Sequence, residues 1–341
     1  MKLKLLTNNK GGLALRIIFT LAFNYFFLFD IALSQTMSKT IFNPYSEFTE
    51  YLEKKGDLSL KEVIKKNNLK YITLSFIQDA DKCLPAWDGL KNNKIDKIEI
   101  IKLLNEIKST DVSYFISLGG QDGNNLAIYC KNSAELLKNY EKIIKIYQPV
   151  GLDFDLEGKI LDNKVALKKI MNAIKDLQNI YQNLKISITI PVMPSGLNSV
   201  TKELLSELVN KNIKFTVNLL TMNYAEDLSG NMFKYTQSAL INSFLFLKKI
   251  HKKVKNEFLF NTISVTPMIG RNDLKNEIFT LHDAKNLLIE SKKLKLSEIR
   301  MWSLERDKRC RKNLNLKICS GLKNQKNYEF TNIFNSLNIN F

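Results

Sequence analysis

The run Val150-Gly151-Leu152-Asp153-Phe154-Asp155-Leu156-Glu157-Gly158 decides how this chain folds. Apolar and acidic residues alternate with period two, as side chains do along a β-strand. Asp153, Asp155 and Glu157 share one face, and Leu152, Phe154 and Leu156 the other. Successive acids on one face stand about 6–7 Å apart, close enough that their ionisations oppose one another. A solvated edge strand would tolerate such a face, but the Val-Gly-Leu start and central position point to a strand covered on its apolar side. Apolar face outward against helices, acids inward, is the arrangement of a closed barrel.

Working outward, the same alternation of apolar runs and amphipathic stretches recurs. Strand-like runs are 41–45, 70–77, 112–118, 150–157, 185–191, 214–224, 258–268 and 298–303, rich in β-branched and aromatic residues. Between them lie helical patterns at 58–66, 97–107, 133–147, 163–181, 201–211, 233–254 and 282–293. In the fourth, Leu167, Ile170, Met171, Ile174 and Leu177 recur at helical spacing. Eight strands alternating with helices define an α/β protein, a (β/α)8 TIM barrel of one domain. A doubly wound sheet would carry a glycine-rich nucleotide loop after its first strand, and none stands there. Barrel chemistry sits at the C-terminal ends of strands, where the acid run ends.

Crowded like charges do not all ionise, so at least one carboxyl of the ladder keeps its proton near neutral pH. Glu157 lies nearest the open end, where a proton-holding carboxyl can protonate a departing oxygen. Asp155, one pleat deeper, can exchange a proton or a hydrogen bond with Glu157 and with substrate. Asp153 is deepest and tunes the other two.

Composition narrows the partners. Of 341 residues, 45% are hydrophobic, enough for a large core, and the net charge is +17. Such a charge raises nucleic acid or an anionic membrane as partners. The cations, however, are nearly all lysine, scattered among asparagines, with only Arg16, Arg271, Arg300, Arg306, Arg309 and Arg311 as arginines. Phosphate readers cluster arginine, so a basic solvated surface and no nucleic-acid partner are expected. Lys2, Lys4, Lys10 and Arg16 precede an apolar run, 17–29, followed by Ala32-Leu33-Ser34. That order is expected of an export leader over 1–34, short for a membrane span; cleavage would leave 35–341 as a secreted catalytic domain without a stable membrane anchor, the alternatives being an uncleaved anchor or a buried helix.

Four cysteines agree with an oxidising destination. They allow three pairings; Cys310 with Cys319 closes a short loop and is the simplest, leaving Cys83 with Cys130. With no CxxC and only His251 and His282, a metal site is not expected, nor any cofactor.

Asp153-x-Asp155-x-Glu157 resembles the DxxDxDxE signature of family 18 glycoside hydrolases. The resemblance implies a chitinase acting on chitin or chitooligosaccharides, with Glu157 as general acid/base. It implies no enzyme nucleophile: the substrate's own 2-acetamido oxygen attacks the anomeric carbon while Asp155 orients it. One departure is Val150, where the signature's first aspartate stands. That position is farthest from substrate, and a small effect is expected.

Other strand ends carry the likeness. Ser117-Leu118-Gly119-Gly120 resembles the SxGG motif, its glycines turning the backbone beside the ladder. Thr221-Met222-Asn223-Tyr224 resembles the MxY segment, so Tyr224 would donate to the acetamide oxygen, with Met222 and Asn223 lining the subsite. Ala225 replaces the aspartate that often follows, leaving Glu226 or Asp227 as substitutes. Trp302 resembles the tryptophan flooring the sugar subsite, where an indole face meets the CH-rich face of the ring. Tyr45 and Phe76 are expected as further sugar contacts, and Trp87 as either a stacking site or a packed loop anchor. The resemblance also implies non-proline cis bonds at Ser75–Phe76 and Trp302–Ser303. Similarity to a bacterial chitinase subgroup runs over about residues 40–341.

Two other functions fit the same barrel: an endo-β-N-acetylglucosaminidase acting on N-glycan cores, or a non-catalytic, lectin-like sugar binder. Lectin-like members usually lose the terminal glutamate, which is present in this chain as Glu157. A monomer is expected.

Overall fold

The computed structural model describes residues 38–52, 58–121, 123–224, 228–310 and 315–338. The expected leader, and Ala225, Glu226 and Asp227, lie outside them. Strands are β1 (Ile41–Phe42), β2 (Tyr45–Glu47), β3 (Tyr71–Asp79), β4 (Pro85–Trp87), β5 (Ser113–Gly119), β6 (Gly151–Asp155), β7 (Lys185–Pro191), β8 (Thr216–Leu220), β9 (Ile263–Thr266), β10 (Gly270–Arg271), β11 (Ile278–Phe279) and β12 (Glu298–Ile299). Helices are α1 (Leu60–Lys66), α2 (Ile98–Lys108), α3 (Leu126–Tyr129), α4 (Ser133–Tyr147), α5 (Lys164–Ile180), α6 (Ser199–Asn210), α7 (Met232–Ile250), α8 (Asn256–Phe260), α9 (Leu281–Leu294) and α10 (Glu329–Asn335).

Hydrogen bonding runs β1-β12-β9-β8-β7-β6-β5-β3-β2, and every neighbouring pair on that path is parallel. β1 and β2 are one strand interrupted at Asn43-Pro44, so the path closes on itself. The Tyr45 N–H donates to the Met301 carbonyl, and the Thr73 N–H to the Pro44 carbonyl, across the seam. This is the expected (β/α)8 barrel.

The two faces of β6 part as the alternation demands. Leu152, Phe154 and Leu156 are buried against helices, with Phe154 edge-on to Tyr140 of α4 at 5.3 Å. The buried stripe of α5 contains Leu167, Ile170, Met171, Ile174 and Leu177. Asparagines that the composition scatters among lysines have a structural use: Asn132, Asn163, Asn198 and Asn231 each cap a helix by accepting a backbone N–H of its first turn. Each cap stabilises by about 1 kcal/mol. Disulfides join Cys83 to Cys130 and Cys310 to Cys319. No helix among the described residues is long and apolar enough to cross a membrane.

Two expectations need correction. The apolar run 258–268 is not one strand: Asn256–Phe260 is helical and the strand begins at Ile263. Short apolar runs fit either state, and packing of Phe260 flat on Phe244 of α7, 3.9 Å between rings, decides the matter. Trp87 is not a sugar platform. β4 folds back antiparallel on β3, and the indole is fully buried, tilted against Phe48 at 4.5 Å with Nε1–H donating to the Tyr147 hydroxyl at 2.7 Å. An indole with its N–H satisfied inside the core is a packing anchor.

Candidate active site

Parallel register sets the site in layers. Ser117, Asp153 and Ser187 lie level on β5, β6 and β7, and Gly119, Asp155 and Thr189 lie level one pleat higher. Asp153 is fully buried, and four donors converge on its carboxylate. Oδ2 accepts from the Tyr45 hydroxyl at 2.8 Å and from Ser117 Oγ at 2.7 Å. Oδ1 accepts from Thr189 Oγ1 at 2.6 Å and from Arg300 Nη1 at 2.9 Å. The network continues through Asn218, which donates to Thr189 Oγ1 at 3.0 Å and accepts from Thr266 Oγ1 at 2.8 Å. It also continues through Glu298, which accepts from Arg300 Nε at 2.6 Å and from Asn43 at 3.0 Å.

Above this web, Asp155 is 2% exposed, and its Oδ1 has no hydrogen-bond partner among the described residues. Its carboxyl is raised well above the usual carboxylate range. Burial is the first cause, followed by the charges of Glu157 and Asp153 and a side-chain hydrogen bond with Glu157; Arg300 opposes the shift. Glu157 follows the strand in extended conformation, φ −130° and ψ 161°, so the alternation continues past the last ladder bond. Its side chain is half-buried at the rim. The carboxyl of the ladder whose affinity for a proton burial raises is Asp155, hydrogen-bonded to the glutamate above it.

Gly119 explains how β5 turns away at this height. With φ +114°, a Cβ there would lie 2.2 Å from the Asp155 carbonyl oxygen; on Gly120, φ +90°, a Cβ would meet the Phe76 ring at 3.1 Å. Only glycine lets β5 leave the ladder so close to the acid. The Phe76 ring so admitted stacks on Trp302, 5.4 Å between centroids and 16° between planes. Both rings are half-buried, so part of each faces the opening. Tyr45 touches both, at 6.2 and 5.9 Å. The Ser75–Phe76 and Trp302–Ser303 bonds are both cis, as the resemblance implied.

The candidates thus divide. Glu157, Asp155, Asp153, Phe76, Trp302, Gly119 and Gly120 come together. Tyr45 is 1% exposed and bonded to Asp153, so it braces the acid from below rather than meeting a sugar. Met222 and Asn223 are half-buried, and Asn223 is tied to the next loop: its Nδ2 donates to Asp273 Oδ2 at 2.7 Å, and its Oδ1 accepts the Asp273 N–H at 3.1 Å.

Tyr224 lies past the end of β8, and its hydroxyl has no hydrogen-bond partner among the described residues. It is fully buried with its ring edge-on to Tyr235 of α7, and Thr236 and Thr221 lie beside its hydroxyl. β8 ends at Leu220 and Asn223 takes a left-handed φ of +48°, so alternation no longer governs where Tyr224 points.

Residues missed in sequence reading are Arg300, Thr189 and Asn218. Arg300 had a legible signal: it precedes Trp302 by two residues, which puts both on the face that closes the barrel.

A closed (β/α)8 barrel with a carboxylate ladder ending in a half-buried glutamate beside stacked aromatic rings is the arrangement that the resemblance implied. No protein-family model matches the chain. It is 30% identical over 287 residues to a probable bifunctional chitinase/lysozyme of Escherichia coli, covering 79% of this chain and 31% of that protein. It is 29% identical over 284 residues to endochitinase 11 of Metarhizium anisopliae, covering 79% of this chain and 53% of that one. Among solved structures it is similar to active domain 2 of the thermostable chitinase of Pyrococcus furiosus, as catalytic-site mutants complexed with chito-oligosaccharides. That likeness has a TM-score of 0.77 and 26% identity and covers 88% of this chain and 95% of that one. The chain is thus similar to chitinases, and its acid ladder resembles that of family 18 of the glycoside hydrolases. It spans about a third of the first curated relative and about half of the second.

Proposed function

We propose that this protein hydrolyses β-1,4 bonds between N-acetylglucosamine units of chitin or chitooligosaccharides, with retention at the anomeric carbon. The observation that carries the proposal is the Asp155–Glu157 pair: a buried carboxyl whose proton affinity burial raises, hydrogen-bonded to a half-buried glutamate at the barrel rim. Asp155 passes its proton to Glu157, and Glu157 gives it to the glycosidic oxygen as the C1–O bond breaks. The acetamide oxygen of the same sugar bonds to C1, and Asp155, now an anion, accepts a hydrogen bond from the acetamide N–H and steadies the positive ring so formed. A water then attacks C1 from the face the leaving group vacated as the bond from C1 to the acetamide oxygen breaks; its proton passes to Glu157 and back to Asp155. Phe76 and Trp302 supply the apolar floor. Residues 1–34 are in this reading removed on export, and the enzyme works as a monomer in an oxidising compartment, where its two disulfides persist.

The test compares chitotetraose with its fully deacetylated counterpart. Because the nucleophile is the acetamide, the acetylated chain is expected to be cleaved and the deacetylated one not. Comparable rates on both would overturn substrate assistance; cleavage of neither would overturn the activity.

A further inference from the structure

We infer that Arg300 is a positioning residue that locks Asp153 as a carboxylate and thereby confines the ladder's proton to Asp155 and Glu157. The inference rests on the function proposed above but stands on geometry. An ionised carboxylate offers about four acceptor positions. Asp153 has all four filled, by Tyr45, Ser117, Thr189 and Arg300, inside a fully buried shell. A proton arriving there would have to displace a donor. Three of those donors are hydroxyls, which can turn to accept instead; the guanidinium cannot accept or give up its proton. Arg300 is therefore the one partner that forbids protonation of the deepest acid.

The arginine is itself held. Its Nε donates to Glu298 Oε2 at 2.6 Å, Nη1 also reaches the Tyr45 hydroxyl at 3.3 Å, and its plane lies 5.7 Å over the Tyr45 ring and 5.3 Å over the Phe115 ring. The groups that face Asp153 and can carry charge are thus Tyr45 from β2, Arg300 beyond β12 with Glu298 behind it, and Asp155 and Glu157 on its own strand. Burial and the Asp153 charge keep the Tyr45 phenol neutral. A single proton in the ladder then has two places to reside, and both are catalytically useful.

The sign of the expected effect separates this role from that of a background cation. Removing a cation alone makes nearby carboxyls hold protons more tightly and would move the basic limb of kcat/KM to higher pH. If Arg300 excludes Asp153 from the proton pool, the Arg300→Met enzyme lets Asp153 take the first proton, so Glu157 is left ionised and the basic limb moves to lower pH. The expected move is about one pH unit, a tenfold change in proton affinity. Arg300→Lys, which keeps the charge, should restore the limb. Thr189→Val, which removes one donor without a charge, should move it the same way by less, and keeps the question open to test if Arg300→Met does not fold. Infrared spectra of 13C-aspartate-labelled protein report protonated aspartates without turnover: one more in Arg300→Met or Thr189→Val than in the wild type at the same pH. A basic limb that stays put or moves upward, or no additional protonated aspartate in either variant, would overturn the inference. A wild type inert on chitooligosaccharides would overturn the proposed activity alone, and the infrared comparison would still decide the role of Arg300.

Discussion

Glu157→Gln is expected to lower turnover on chitooligosaccharides by about three to four orders of magnitude while leaving substrate affinity nearly intact. A positioned acid contributes typically about 10²–10⁴-fold, and glutamine offers neither the proton nor the base needed in the second step. Binding survives because the apolar floor, Phe76 on Trp302, is not touched by the change. The amide also replaces the charge that helps raise the Asp155 carboxyl. In the variant that group releases its proton at lower pH, so the residual rate should depend on pH differently from the wild type. Steady-state kinetics with calorimetric binding of the intact oligosaccharide checks both parts. A kcat within tenfold of wild type would remove Glu157 from the acid's role.

Asp153→Ala is expected to be among the most destabilising single changes in the barrel. It strips the acceptor from four buried donors at once and leaves the Arg300 guanidinium with Glu298 as its remaining carboxylate. Breaking a buried ion pair costs about 3–5 kcal/mol, and orphaned buried donors add to that. At roughly 2–4 °C per kcal/mol for a domain of this size, Tm should fall by about 10 °C or more, measurable by scanning calorimetry. A Tm within about 3 °C of wild type would show that the web relaxes around the loss.

The stability of the folded chain carries a related pH signature. Because the folded-state affinity of Asp155 for its proton is raised, the native form binds a proton that the unfolded chain has already released. Its contribution is fully present below the ordinary aspartate range and declines as pH rises from there through the raised value.

The acid ladder was legible because strand alternation is strict and the register of β6 obeys it to Glu157, beyond the last ladder bond. Helix stripes were legible for the same reason, periodicity fixed by backbone geometry. Legibility ended where the backbone left regular structure. Asn223 at positive φ ends the alternation before Tyr224, whose ring lies edge-on to Tyr235 of α7, and the β3–β4 hairpin carried Trp87 beneath the surface. Arg300 was hidden by its chemistry: in a chain of net charge +17 an arginine reads as surface, whereas this one is fully buried. The Asp155–Glu157 pair shows the remaining gap. Crowding dictates that one acid keeps a proton, but which one depends on burial, and that is a property of the folded barrel.

Substrate assistance is decided by the anomeric form of the first product released from chitohexaose, read by proton NMR before mutarotation sets in. An acetamide that attacks C1, followed by water on the opposite face, inverts the centre twice, so the β-anomer is expected. Initial release of the α-anomer would mean direct attack by water with a single inversion. Asp155 would then have no cyclic cation to steady, and the double displacement would be contradicted.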